Sequence, residues 1–68
     1  MQMHPITSTN VSAVGYDPSS RRMRVQFSSG GIYEYSDVDE SLYEAMLQPF
    51  PWRRVGRVVR AHANRRIG

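Results

Sequence analysis

Nine arginines and no lysine stand against six acids in this chain of 68 residues, so any chemistry of recognition starts with the guanidinium group. Its planar fork meets two phosphate oxygens at once and stacks on a base, where an ammonium offers only a point charge. Arg53, Arg54, Arg57 and Arg60 follow Trp52 closely, and Arg65 and Arg66 come soon after. A basic surface edged by an aromatic is what binders of single-stranded nucleic acid use. Arg22 and Arg24 join that set if they face the same way. The charge is blocked along the chain: Arg21, Arg22 and Arg24 come first, Glu34, Asp37, Asp39, Glu40 and Glu44 follow, and six arginines end it. Such blocks predict a bipolar surface whose basic end takes an anionic partner. The plainer alternative is that the six C-terminal arginines pair with the five acids, and codon usage in a GC-rich genome would favour arginine over lysine.

Other candidates are weaker. Phe50 and Trp52, set among prolines and arginines, offer a second reading as the anchor of a protein contact, since Trp and Arg are enriched at such anchors. Tyr33 and Tyr35 invite comparison with sheets whose aromatics stack bases, but their parity, argued below, sends them to the core. His4 and His62 are far apart and no cysteine completes a metal set, so neither a metal nor a cofactor is expected. Asp37, Asp39 and Glu40 read as helix caps rather than a catalytic carboxylate cluster. Ser28-Ser29-Gly30-Gly31 leads into a strand, so it is a turn and not a phosphate loop. The residues point to a binding module and not to an enzyme.

The elements that must carry these residues are short. Val11 to Tyr16 is β-branched in part and ends at Asp17-Pro18-Ser19-Ser20, a turn composition. Arg22 to Phe27 alternates strictly, with Met23, Val25 and Phe27 on one face. Ile32 to Tyr35 resumes the alternation after the glycines. A three-residue loop of Ser29, Gly30 and Gly31 sets Phe27 opposite Tyr33 and Val25 opposite Tyr35, so both tyrosines join the apolar face. Any loop of even length would place Glu34 there instead. A first loop from Asp17 to Ser20 likewise sets Val14 beside Met23. A helix over 37–48 carries Leu42, Tyr43, Met46 and Leu47 on one stripe and stops before Pro49. From Arg53, Val55, Val58, Val59 and His62 mark a second amphipathic segment that Gly56 weakens by ~1 kcal/mol. Ala63 to Gly68 reads as an extended tail anchored by Ile67.

The expected fold is therefore α+β: a three-stranded antiparallel β-meander packed against one helix, with a basic C-terminal segment, helical or irregular, alongside. Residues 1–10 form an N-terminal arm and 11–68 a single domain. At this length only ~60% of the unfolded surface is buried on folding, which leaves one thin core and excludes a large multi-part active site. With no cysteine, no disulfide and no thiolate zinc site contribute. No apolar run reaches the ~20 residues of a membrane span, and the first residues lack a signal peptide's apolar region. The expectation is a soluble cytoplasmic protein, monomeric or homodimeric, with no membrane role.

Val11-Ser-Ala-Val-Gly-Tyr-Asp-Pro18, then Met23 to Tyr35 with its glycine turn before Tyr33-Glu-Tyr35, then Asp37-Val38 and Tyr43-Glu-Ala-Met-Leu47 together resemble the KTSC domain family. Its members occur alone in bacteria and phage and at the C-terminus of some lysyl-tRNA synthetases. Gly30, Gly31, Tyr33 and Tyr35 match its central mark, and the resemblance spans Val11 to Leu47. Val59-Arg60 and Arg66-Ile67 answer to the arginine-bearing tail of the family, while Ala63 and Asn64 stand where aromatics are expected. The resemblance implies the small α+β fold and suggests RNA binding; with the arginine cluster, the expected partner is RNA, a tRNA or a single strand. An acidic protein, bound by a small bacterial or phage regulator, is the alternative partner.

Overall fold

A computed structural model describes all 68 residues. The chain forms β1 (His4–Pro5), β2 (Val11–Asp17), β3 (Arg22–Phe27), β4 (Ile32–Tyr35), α1 (Glu40–Met46), α2 (Pro51–Arg60) and β5 (Asn64–Arg66). The strands make one antiparallel sheet in the order β1-β2-β3-β4-β5. The α+β class stands, but the sheet has five strands rather than three and two helices cover it rather than one. The extra strands sit at the edges. β1 comes from the N-terminal arm, and β5 from the tail, which Ile67 ties down by donating its backbone N–H to Ile32 O at 2.8 Å.

Both hairpins keep the expected parity and slide by two residues. In the β3-β4 hairpin the loop has three residues, but they are Ser28, Ser29 and Gly30. Phe27 N–H donates to Gly31 O at 2.8 Å, and Gly30 takes the positive φ of 111° that a side chain resists. Val25 therefore faces Tyr33 and Met23 faces Tyr35. In the β2-β3 hairpin Asp17 belongs to the strand, and its carboxylate accepts from Ser19 N at 3.0 Å. Arg21, with φ 56°, closes the turn, so Tyr16 rather than Val14 lies opposite Met23. A bulge between Val11 and Ala13 adds a residue to β2. Val11 and Val14, three apart, both reach the core in consequence.

The core is Val11, Val14, Met23, Val25, Tyr35, Val38, Met46 and Val59, with Tyr16, Phe27, Tyr33, Leu42, Tyr43, Trp52 and Val55 packed against it. Fully burying an aliphatic side chain of this size stabilises by about 1.5–3 kcal/mol. Helix α1 is capped by Asp39, which accepts from Ser41 N at 3.0 Å; Asp37 instead takes a left-handed φ of 56° just before it. Tyr43 stacks on Tyr16 at 4.9 Å, and the Tyr16 hydroxyl donates to Val38 O at 2.6 Å. Leu47 falls outside α1 and is exposed. Helix α2 starts two residues earlier than its valines suggest. Phe50 turns the chain with φ 54°, which sets Pro51 at the first helical position. The buried stripe then runs through Pro51, Gly56 and Val59, and Val58 is left 53% exposed rather than apolar-packed.

Candidate nucleic-acid interface

The nine arginines separate by the face of the sheet on which each one falls. Alternation along β3 and β4 turns Met23, Val25, Tyr33 and Tyr35 toward the helices, so Arg22, Arg24 and Glu34 turn away from them. Register continues across β5, with Arg65 opposite Glu34 and Arg66 opposite Tyr33. On the outer face Glu34, only 4% exposed, takes Arg24 Nε at 3.0 Å, Arg65 Nη2 at 3.4 Å and Arg22 Nη1 at 3.6 Å. The hydrogen bond from Arg24 holds its carboxyl below the usual glutamate range, against the opposing effect of burial. Arg22, Arg24 and Arg65 are thus not on the surface that carries the α2 arginines.

On the helical side the guanidiniums have different tasks. Arg54 Nη2 donates to Ala45 O at 2.8 Å, at the end of α1, and its Nε to Pro49 O at 3.4 Å, in the connection between the helices. Arg54 is a structural clasp. The 3.6-residue turn of the helix brings Arg60, Arg53 and Arg57 into an arc of about 60°. All three are exposed, and none has a carboxylate within ion-pair reach. Arg53 lies over the Phe50 ring at 5.3 Å and Arg60 over Trp52 at 5.8 Å. Of the six C-terminal arginines only Arg65 pairs with an acid; Arg21 takes Asp39 at 3.9 Å. The proposed pairing of the C-terminal block with the acidic block is therefore largely unrealised.

Trp52 is half-buried and shaped by its neighbours. Its indole lies across Gly56, where an added Cβ would come within 2.9 Å of Cδ2. It meets Phe27 edge to face at 5.0 Å, and Phe27 meets Tyr33 the same way at 5.7 Å. Arg66 sits at the far end of this row, with its guanidinium beside Gly31 and its Nε donating to Gly68 O at 2.8 Å. Tyr33 and Tyr35 are core-facing as their parity requires, and burial raises the Tyr35 hydroxyl above the usual tyrosine range. His62 Nδ1–H reaches Ser36 O at 3.0 Å, tying the end of α2 to β4. His4 lies on edge strand β1, and no group of three His, Cys, Asp or Glu side chains is arranged to hold a metal. No helix is long and apolar enough to cross a membrane.

This five-stranded sheet under two short helices is an α+β fold with known counterparts. A crystal structure of a KTSC domain protein from Yersinia pestis superposes with a TM-score of 0.88 at 30% identity, over 98% of this chain and 97% of that one. The KTSC domain profile matches residues 7–49, and the chain belongs to the KTSC domain family. An uncharacterized protein of Stutzerimonas stutzeri is 33% identical over 48 residues, 71% of this chain and 68% of its own. A protein of Tsukamurella paurometabola is 31% identical over 45 residues, 66% of this chain and 67% of its own. The matched region ends at Pro49, so the α2 arginines lie beyond it.

Proposed function

We propose that this domain is a non-catalytic RNA-binding module whose contact surface is the Arg53, Arg57 and Arg60 stripe of α2, edged by Trp52. One observation carries the reading: these three guanidiniums engage neither acid nor carbonyl, while every other arginine does. Arg66 flanks the surface at the end of the aromatic row. With three phosphates neutralised, affinity for a single strand falls with salt at a log–log slope of about 2. Fluorescence anisotropy with labelled tRNA, single-stranded RNA and duplex DNA at two salt concentrations tests this, using an Arg53/Arg57/Arg60→Ala variant. Salt-sensitive binding that the variant loses supports the reading, and salt-independent binding or none at low salt refutes it.

The second reading, a contact for an acidic protein, draws on Phe50. The residue is 42% exposed, and its backbone holds the left-handed conformation that bulky residues avoid. Leu47 and Val58 are exposed on the same helical layer. Trp52 is too deeply packed to be the anchor, so Phe50→Ala is the discriminating substitution. It removes partner capture under this reading and leaves RNA affinity within twofold under the first.

A further inference from the structure

The outer face of the sheet carries a second concentration of charge that the α2 surface does not use. Three arginines from two strands converge on one carboxylate, which leaves two positive charges uncompensated. Asp17 lies opposite Arg22 in the register, but its carboxylate accepts from Ser19 and Ser20 and pairs with no arginine. No helix covers this face, and residues 1–3 cross it only at Gly15, opposite Arg24. The guanidinium groups stay open to solvent, with side chains 42% to 71% exposed, while Glu34 beneath them is buried. Each guanidinium approaches Glu34 through one nitrogen, Nε of Arg24, Nη1 of Arg22 and Nη2 of Arg65. The remaining N–H donors of each fork are free to face outward.

From this arrangement we infer that Arg22, Arg24 and Arg65, held in place by Glu34, form a binding site for a phosphate dianion. The charge left over matches the two negative charges of an ionised phosphate or phosphate monoester. Anchoring matters as much as charge. An isolated surface arginine must give up its rotamer freedom to bind, whereas these three already share one geometry, so less is lost on contact. Phosphate oxygens also accept two parallel N–H donors from one fork, a match that chloride does not offer. The ligand is either free phosphate or the terminal phosphate of a larger molecule such as an RNA end, and the site stands independently of the α2 reading.

Titration of the intact protein with inorganic phosphate, followed through the arginine Nε–Hε resonances in NMR spectra, tests the assignment. Saturable shifts at Arg22, Arg24 and Arg65 are expected, with Kd of roughly 1–10 mM. Binding should tighten from pH 6 to pH 8 as the dianion becomes the main species. Arg65→Ala and Arg22→Ala, both at exposed side chains, should each weaken it about fivefold or more, while Arg53/Arg57/Arg60→Ala leaves it unchanged. Shifts that fail to saturate, that spread equally to Arg53 and Arg57, or that persist in both single variants overturn the proposal. A 5′-phosphorylated oligonucleotide compared with its 5′-hydroxyl form separates the sources: preferential capture of the first names an RNA end, and equal binding of the two beside saturable inorganic phosphate names the free ion.

Discussion

Gly56→Ala tests the packing of the α2 surface, because helix propensity and steric fit predict opposite signs. In an isolated helix the change stabilises by about 1 kcal/mol. Here the new methyl would stand 2.9 Å from Trp52 Cδ2, 3.1 Å from Cγ and 3.2 Å from Cε2. Cγ is the root of the indole, so the ring cannot swing its tip aside and must move as a whole. Overpacking of this kind costs about 1–3 kcal/mol, and displacing the ring also weakens its edge contact with Phe27, worth about 0.5–1.5 kcal/mol. The net expectation is destabilisation by about 1–2 kcal/mol. For a domain of this size that lowers the melting temperature by about 4–15 °C. Trp52 is the sole tryptophan, so urea or thermal unfolding followed by its fluorescence reads global stability and local environment together. A variant that melts at or above the parent temperature, with an unshifted emission maximum, would refute the assignment of Gly56 as the seat of the indole.

Three further expectations follow from single contacts. Arg54→Ala removes donors from Ala45 O and Pro49 O and should cost about 1 kcal/mol in chemical denaturation with RNA affinity nearly unchanged, whereas Arg57→Ala should do the reverse. The Glu34 carboxyl titrates below its unfolded value, so its stabilisation is fully present above about pH 4.3 and is lost as pH falls through the lower folded value. Glu34→Gln should therefore destabilise by about 1–2 kcal/mol at pH 7 and by almost nothing near pH 2 in a melting series; an equal loss at both pH values would refute the ionic role. At Gly15 an added Cβ would meet Met3 Sδ at 2.7 Å and Gln2 O at 2.8 Å, so Gly15→Ala should lift residues 1–3 off the outer face, seen as faster proteolysis of the N-terminus with little change in melting temperature.

The parts of the fold that obey a period were legible. Met23, Val25 and Phe27 against Tyr33 and Tyr35 fix which face is buried because a carboxylate in the core is costly, and the pairing of Arg24 with Glu34 follows from the same parity. Register was not fixed by that argument, since a slip of two residues preserves every face; what decides it is which residues accept positive φ, and Arg21 and Gly30 do. Edge strands β1 and β5 have only two and three residues, too few for any period, and exist because β2 and β4 offer them backbone partners. Gly56 reads in the sequence as a weak point of the helix and is instead where Trp52 rests. The arginine cluster was visible, but its division was not, because whether Arg65 or Arg66 faces the helices depends on a pairing with β4 that the tail sequence does not announce.

That division governs what the arginines can do together. A preference for arginine codons would account for the residue type but not for why Arg53, Arg57 and Arg60 lack acids when Asp37, Glu40 and Glu44 form no ion pair either. The acids were available in number, yet the one buried carboxylate of the sheet, Glu34, gathers three guanidiniums, and the α2 stripe is left bare. The core lies between the helices and the sheet, so the two arginine sets are on opposite sides of both layers. A nucleic-acid segment lying on α2 does not reach Arg22 and Arg24 without passing around an edge of the sheet. Substitutions in the two sets share no partner, and their effects on any one ligand should add within about 0.5 kcal/mol. A coupling well above that between Arg57→Ala and Arg22→Ala would mean one ligand spans both faces, and the two sites would have to be redrawn as one path around the β5 edge, where Arg65 and Arg66 point to opposite sides.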